Sequence, residues 1–311
     1  MTRLAHTREE LDDLLDDARH EGARIAFVPT MGALHEGHAS LMRGARQRTR
    51  GPLVVSIFVN PMQFAPTEDL DRYPRTLDAD LEVCEAEGVD IVFAPSVEEV
   101  YPGGFSHEDV RRGVTVAPGA LAEILDGASR PGHFDGVLTV VAKLFGLVRP
   151  DVAVFGQKDY QQLVLIRRMV ADLCMGIDVV GAETVREPDG LALSSRNRYL
   201  DAEQRRTATA LSRALRAAQD RASYGVPAAR WAAMSVLKAE PGLELDYLAL
   251  TSPDLGEPPE TGEGRILVAA RVGTTRLIDN MPITFDRTDP GQTTPEAGTA
   301  PAGSTALERS S

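Results

Sequence analysis

Short apolar runs alternate with amphipathic stretches over residues 1–184. The runs at 53–59 and 152–155 are apolar at nearly every position, which is typical of strands buried on both faces of a parallel sheet. The stretches between such runs carry apolar residues at helical spacing. Strands that alternate with helices in this way indicate an α/β fold built on a doubly wound parallel sheet.

The same pattern gives the approximate bounds of the elements. Strands are predicted at 25–28, 53–59, 91–93, 152–155 and 177–180, with a shorter one at 114–116. Helices are predicted at 7–20, 39–47, 137–147 and 163–173, with a short one at 121–125. Pro29 should end the first of these strands, because proline lacks the N–H that a sheet ladder uses.

The pattern changes after residue 184. Two helices are expected at 201–222 and 227–239, and strands follow at 243–251, 265–272, 276–278 and 281–285. Helices followed by short strands indicate a smaller α+β domain with an antiparallel sheet. We therefore predict one domain over 1–184 and a C-terminal domain over 185–285 that acts as a lid. Residues 286–311 are rich in Thr, Pro, Gly, Ala and Ser, and should form a disordered tail.

Composition narrows the class of protein. The 311 residues are 43% hydrophobic, which is enough to bury a sizeable core. A net charge of −13 argues against a nucleic-acid partner, because such binding needs clustered Lys and Arg. No apolar run approaches the roughly 18 residues of a membrane helix, and the N-terminus has no apolar signal region, so a cytoplasmic protein without membrane contact is expected. Cys84 and Cys174 lie in apolar contexts that suit reduced core thiols.

A loop with two histidines follows the first predicted strand. His35 and His38 are three residues apart, and Gly32 and Gly37 allow the backbone to come close to a ligand. A helix that begins after such a loop attracts phosphate through its free N–H groups. The alternative, two polar surface side chains in a glycine-containing loop, stays open on this motif alone.

Polar residues also follow two other strands, at the edge where open α/β sheets bind ligands. Asn60 and Gln63 come after the second strand, and Lys158, Asp159 and Gln162 come after the fourth. The amides can hold a carboxylate or a hydroxyl group, and the lysine can neutralise phosphate. Each cluster has an ordinary alternative: a turn, a helix cap or a surface charge.

Two later loops carry further cations. Arg130 and His133 precede a predicted helix, and Ser194, Ser195 and Arg196 form a possible phosphate clamp. The acids at 78, 80 and 82 are interpreted as a solvated helix face rather than a magnesium site.

Six segments carry a resemblance to a known family. They are the segments at 29–38, 57–64, 73–76, 130–134, 155–162 and 194–200. With these segments the chain closely resembles the pantoate and beta-alanine ligases, nucleotidylyltransferase-type enzymes with a Rossmann-like sheet, from its start to about residue 285. The resemblance implies that pantoate attacks ATP to give pantoyl adenylate and pyrophosphate. Beta-alanine then displaces AMP to give pantothenate.

The resemblance also implies roles for individual residues. The ATP site would consist of Met31, Gly32, Ala33, Leu34, His35, Glu36, Gly37, His38, Gly156, Gln157, Lys158, Asp159, Val185, Leu193, Ser194, Ser195 and Arg196. The catalytic set would be His38, His35, Lys158, Ser194, Ser195 and Arg196. In the substrate set, Gln63 and Gln162 would hold pantoate, with Gln63 also near beta-alanine. Asn60, Arg130 and His133 would complete the set. Magnesium would accompany ATP without a metal site built by the protein, and a homodimer is implied.

The sequence departs from the family pattern at three positions. Leu193 stands where methionine is usual, Gln157 replaces a common glutamate, and Ala79 beside Asp80 leaves a possible acidic metal site incomplete. The charge of His38 stays open, because phosphates favour the imidazolium whereas a helix N-terminus disfavours it. The nearest alternative function is a nucleotidylyltransferase with a stable nucleotidyl product. A nucleotide-binding module without turnover is disfavoured, because binding alone would not require two histidines, a lysine and an arginine at one ligand.

Overall fold

The computed structural model of the chain describes residues 1–64, 70, 73–104 and 113–286. Six of the described strands form one parallel sheet in the order β1-β4-β3-β2-β5-β6. They are β1 (Arg3–Ala5), β2 (Ala26–Thr30), β3 (Leu53–Ile57), β4 (Ile91–Phe93), β5 (Val152–Gly156) and β6 (Asp178–Ala182). The order reverses between β2 and β5, and such a switch point is where doubly wound sheets bind ligands.

Helices cover both faces of this sheet. They are α1 (Arg8–His20), α2 (Glu36–Arg46), α3 (Leu77–Ala86), α4 (Val97–Val100), α5 (Leu125–Ser129), α6 (His133–Val148) and α7 (Tyr160–Asp172). Side chains that alternate along β2 enter two cores: Phe27 packs with residues of α1, α6 and α7, whereas Val28 packs with residues of α2 and α3. The prediction of a doubly wound parallel sheet is therefore confirmed.

A second sheet follows in the C-terminal part of the chain. Its three described strands, β7 (Leu243–Thr251), β8 (Gly262–Val272) and β9 (Thr275–Phe285), pair antiparallel in chain order. Helices α8 (Ala202–Ala208), α9 (Ala210–Gln219) and α10 (Val226–Lys238) precede it. Leu211 and Leu215 of α9 pack with Ile266 and Phe285 in a separate core. The α+β character is confirmed, and the domain boundary at 184/185 stays a prediction.

Pro29 does not end its strand. β2 continues to Thr30, and Pro29 is in register with Ser56 of β3. Within the described residues, β5 pairs with β2 only at Ala26 and Phe27. The edge of Pro29 that faces β5 therefore has no ladder that would require an N–H, and the prediction of a break there was wrong.

Several other predicted bounds also differ. The helix predicted at 201–222 is interrupted at Thr209, whose N–H is shared between two carbonyl groups. The strands predicted at 276–278 and 281–285 are one strand, and residues 114–116 lie outside the described strands. Cys174 is exposed rather than in the core. All of the predicted tail except Asp286 lies outside the described residues.

In the part of the chain that the structure describes, no helix is long and apolar enough to cross a membrane.

Candidate active site

A buried carboxylate holds the loop after β2. Gly32 and Ala33 adopt left-handed backbone conformations, with φ of 80° and 51°. Asp80 of α3, only 2% exposed, accepts hydrogen bonds from the N–H groups of Ala33 at 3.1 Å and Leu34 at 2.7 Å. A Cβ atom on Gly32 would lie 2.9 Å from Oδ2 of this carboxylate, so glycine is required there. The loop between β2 and α2 therefore packs directly against α3.

The two histidines at the start of α2 stack and have defined tautomers. Their ring centroids are 4.1 Å apart. Nδ1 of His35 accepts from the N–H of Gly37 at 3.1 Å, and Nδ1 of His38 accepts from the N–H of His35 at 3.3 Å. A backbone N–H can only donate, so both Nδ1 atoms are unprotonated. Each neutral ring therefore carries its proton on Nε2, where it is available to a ligand.

Both histidines favour the neutral form. Desolvation, followed by the positive charges of Lys158 and Arg198, lowers the pKa of His35. Desolvation and the neighbouring His35 lower the pKa of His38 to about 3, although Asp159 opposes the shift. The charge of His38, which the sequence left open, is therefore zero near neutral pH in the protein itself.

The loop after β5 places a lysine and an aspartate beside this pair. It forms one 3-10 turn, Gln157–Asp159, before α7 begins. Nζ of Lys158 lies 3.5 Å from Oδ1 of Asp159. Desolvation raises the pKa of Asp159, but the charges of Lys158 and Arg196 more than offset it and the net shift is downward. Half of the Asp159 side chain is exposed, so this carboxylate is ionised and accessible.

Side chains of the second sheet hydrogen-bond to the turn Gln157–Asp159. Nδ2 of Asn280, on β9, donates to the carbonyl oxygens of Gln157 at 2.9 Å and Lys158 at 2.8 Å. Arg265 of β8 donates from Nη2 to Oε1 of Gln157 at 3.0 Å and lies 4.0 Å above the ring of Tyr160. Gln157 stands at the position where glutamate is usual. Its side-chain oxygen accepts the hydrogen bond from Arg265, but a neutral amide does not offset the positive charge of that arginine.

A short hairpin brings the Ser-Ser-Arg segment to the histidine loop. The N–H of Leu193 donates to the carbonyl of Val185 at 2.9 Å, so these two residues lie side by side. A Cβ atom on Gly37 would lie 3.6 Å from Cδ2 of Leu193. Oγ of Ser194 accepts from the N–H of Arg196 at 3.3 Å and caps the following turn. Gly37 and Leu193, which are 156 positions apart in the sequence, therefore lie close together.

The turn Ser195–Tyr199 is held by a polar network on its inner side. Asn197, 8% exposed, donates to Oε1 of Glu187 at 2.8 Å and to the carbonyl of Ala192 at 3.0 Å. Arg205 pairs with Glu187 at 2.5 Å. The turn therefore has a defined position while the side chain of Arg196 is exposed.

Amide side chains follow β3. Asn60 caps the 3-10 turn Pro61–Gln63 and is 1% exposed. Nε2 of Gln63 lies 3.2 Å from Sδ of Met31, in the loop after β2. Gln162 is partly buried in the first turn of α7. Helix α6 approaches closely, because a Cβ atom on Gly136 would lie 2.2 Å from the carbonyl oxygen of Met62.

Arg130 and His133 contact the backbone of Gln63. Nδ1 of His133 lies 2.9 Å from the carbonyl oxygen of Gln63, and Nη2 of Arg130 donates to the same oxygen at 3.3 Å. Nη1 of Arg130 lies 2.8 Å from Nε2 of His133. These contacts position the turn that carries the amide.

The loops after β2, β3 and β5 thus lie at one edge of the sheet, and the Ser-Ser-Arg segment approaches the first of them. The roles of their residues in binding and catalysis stay a prediction. The sequence analysis did not identify Asp80 as a buried support of the loop, nor Asn280 and Tyr101 as partners of site residues. Asp80 was interpreted as solvated, which was wrong. A buried polar contact over such chain distances leaves no local signal. The described residues contain no group of three or more His, Cys, Asp or Glu side chains placed to hold a metal ion.

A family model for pantoate-beta-alanine ligase matches residues 3–282. The chain belongs to this family. A pantothenate synthetase of Nocardioides is 65% identical over 303 residues, which cover 94% of this chain and 89% of the relative. One from Mycolicibacterium smegmatis is 57% identical over 265 residues, covering 85% of this chain and 82% of the relative. The resemblance stated from the motifs is therefore confirmed.

Solved structures of the pantoate-beta-alanine ligase family share the fold. Pantothenate synthetase from Thermus thermophilus has a TM-score of 0.81 and 46% identity, with 90% of this chain and 99% of that chain covered. The Francisella tularensis enzyme, complexed with beta-gamma ATP and beta-alanine, has a TM-score of 0.73 and 34% identity, with 90% and 97% covered.

Proposed function

We propose that this chain condenses pantoate with beta-alanine at the expense of ATP, forming pantothenate, AMP and pyrophosphate. The observation that carries the proposal is the convergence of donor side chains at one edge of the sheet. The loops after β2, β3 and β5 belong to neighbouring strands that include the switch point, and they bear the histidine pair, the amides and Lys158.

The ATP half of the site would be the histidine loop, the turn after β5 and the hairpin. Lys158 and Arg196 supply positive charge for the phosphates, and the hydroxyls of Ser194 and Ser195 supply hydrogen-bond donors. His35 and His38 offer Nε2–H donors without bringing charge of their own. Such fixed donors stabilise negative charge as it develops on the triphosphate.

The acid half of the site would be formed by Gln63, which lies beside the thioether of Met31, and by Gln162. An amide pair next to an apolar group suits a small branched acid that carries hydroxyl groups. Asn60, Arg130 and His133 contribute by positioning the turn of Gln63. Beta-alanine would enter next to the acid, since its amine must reach the acyl carbon.

The chemistry takes two steps. A carboxylate oxygen of pantoate attacks the α-phosphorus of ATP, the bond to the bridging oxygen breaks, and pyrophosphate leaves with the electron pair. The neutral amine of beta-alanine then attacks the acyl carbon of the adenylate, loses a proton, and expels AMP. Because an acyl adenylate is easily hydrolysed, the site must exclude water between the steps. Residues 185–285 would serve as the lid, already joined to the turn of Lys158 through Asn280.

Three further features belong to the proposal. Magnesium would arrive as the MgATP complex and shield the charge of the phosphates. The active protein would be a cytoplasmic homodimer. The complex of the Francisella tularensis relative with beta-gamma ATP and beta-alanine supports both ligands in this family.

ATP–pyrophosphate exchange across a panel of small hydroxy acids tests the first step. Exchange should depend on pantoate, and AMP release in multiple turnovers should depend on added beta-alanine. Exchange that ignored pantoate would overturn the proposal. Stoichiometric release of a stable nucleotidyl product without an amine would favour a nucleotidylyltransferase instead.

A further inference from the structure

The orientation of the Asn60 amide is fixed by backbone groups whose roles are unambiguous. Nδ2 of Asn60 lies 3.1 Å from the carbonyl oxygen of Gly136, which can only accept. Oδ1 lies 3.3 Å from the N–H of Met62, which can only donate. A flipped amide would oppose donor to donor and oxygen to oxygen, so the assignment is forced.

Tyr101 completes the hydrogen bonding of this amide. Its hydroxyl lies 2.8 Å from Oδ1 of Asn60, and since that oxygen accepts, the tyrosine donates. Desolvation raises the pKa of Tyr101, so the donated proton stays on the hydroxyl. The ring is 5% exposed, lies 6.3 Å from the ring of Phe58 and has Lys143 5.0 Å from its centroid. The donor therefore sits on a buried ring with packed neighbours on both sides.

Asn60 in turn fixes the orientation of the Gln63 amide. The second proton of the Asn60 amide nitrogen is donated to Oε1 of Gln63 at 3.1 Å. The carbonyl end of the Gln63 amide is thus turned towards the interior. Its Nε2 end faces Sδ of Met31, in the loop that carries the histidines. Gln63 presents N–H donors, not an oxygen, to the site.

We propose that Tyr101 is a positioning residue that fixes the polarity of Gln63 through Asn60. The Gln63 amide then recognises an acceptor oxygen, from the carboxylate or a hydroxyl group of the acid substrate. It disfavours an ammonium group, which has no lone pair to offer. This inference rests on the proposed function and adds to it: Gln63 contacts the acid through an N–H donor, and Tyr101 sets the direction of that donor.

Tyr101→Phe removes only the hydroxyl and keeps the ring in its apolar surroundings. The KM for pantoate should rise about threefold to tenfold, the effect of one hydrogen bond, while the KM for ATP stays unchanged. Tyr247→Phe is the matched control. It deletes another desolvated tyrosine hydroxyl, which hydrogen-bonds to Asp126, and should leave the KM for pantoate unchanged.

A double-mutant cycle separates positioning from general loosening of the core. In a Gln63→Ala background, Tyr101→Phe should change the KM for pantoate by less than about twofold, because its route to the substrate is gone. An effect of equal size in both backgrounds would overturn the proposal.

Gln63→Glu tests whether Gln63 donates to the acid, since the side chain keeps its size, loses its donors and gains a negative charge that repels a carboxylate. The KM for pantoate should rise by more than about tenfold. Retention of the wild-type KM in this variant would overturn the assigned orientation. Pantoate-dependent exchange by the wild-type protein is measured alongside. Absence of this exchange would count against the proposed function. Its presence, with variants that keep the wild-type KM, would count only against the roles assigned here to Tyr101 and Gln63.

Discussion

The backbone N–H of His35 donates to Nδ1 of His38 at 3.3 Å, and this bond determines which end of the His38 ring can serve a ligand. The proton of the neutral ring lies on Nε2, away from the backbone. A histidine held in this way is a preorganised donor that stabilises developing charge without having to change its tautomer.

His38→Ala should lower the rate of pantoate adenylation by about 10² to 10³, the usual effect of removing one such donor. Pantoate-dependent ATP–pyrophosphate exchange measures the step without requiring beta-alanine. His20→Ala, on the exposed end of α1, is the control and should retain wild-type exchange. Unchanged exchange in the His38 variant would refute the role.

The low pKa of His38 also makes the stability of the protein depend on pH. The pKa of this group is about 3 in the folded state, against 6.5 for an unperturbed histidine. Below pH 6.5 the unfolded chain binds a proton that the folded chain does not, so stability is lost as pH falls. Between pH 7.5 and 5.5 the loss due to His38 should be about 1.4 kcal/mol.

Urea unfolding at the two pH values, in wild-type protein and in His38→Gln, checks this effect. The variant lacks the titrating group, so its free energy of unfolding should fall less over the same interval. Equal losses in both proteins would show that His38 binds its proton equally well in the folded and unfolded states.

The sequence was informative about residues that come directly after the predicted strands. The carboxyl ends of parallel strands lie at one edge of the sheet. The alternation of strands and helices was therefore enough to predict that Gln63, Lys158 and His38 lie at the same edge. The doubly wound sheet and the family were confirmed in this way. The roles of the individual residues stay predictions.

The supports of the site could not be obtained from local pattern. Asp80 contacts a loop 47 residues earlier, and Asn280 contacts Lys158 across 122 residues. An acidic residue in an acidic helix looks solvated unless the packing of that helix is known. Pro29 was misjudged for a related reason, because a strand tolerates proline only where a neighbouring ladder has already ended.

Asp80→Asn tests the support of the histidine loop. One of the two oxygens that accept from the N–H groups of Ala33 and Leu34 becomes an NH₂ group, which opposes a donor to a donor. We expect a loss of about 1–3 kcal/mol in unfolding free energy, together with slower adenylation. The exposed Asp78→Asn, on the same helix, should change neither. Wild-type stability in Asp80→Asn would show that the loop does not depend on this carboxylate.

Asn280→Asp tests whether the second sheet positions the turn of Lys158. The substitution keeps the size of the side chain but replaces the group that donates to the carbonyls of Gln157 and Lys158 with an oxygen. Loss of two hydrogen bonds should raise the KM for ATP by about tenfold to a hundredfold. The KM for pantoate should change much less, because Gln63 is held by α6 and the turn after β3.

The matched control for Asn280→Asp is Gln219→Glu. It removes a hydrogen bond to the same strand, at the carbonyl of Pro282, where the bond does not reach the turn of Lys158. The KM for ATP should stay at the wild-type value in this control. A parallel rise in both substrate constants for Asn280→Asp would mean that the strand stabilises the whole protein. A rise in the KM for ATP alone would mean that β9 influences nucleotide binding through the carbonyl groups of Gln157 and Lys158. Such a link between the second sheet and the nucleotide is what the proposed lid role of residues 185–285 requires.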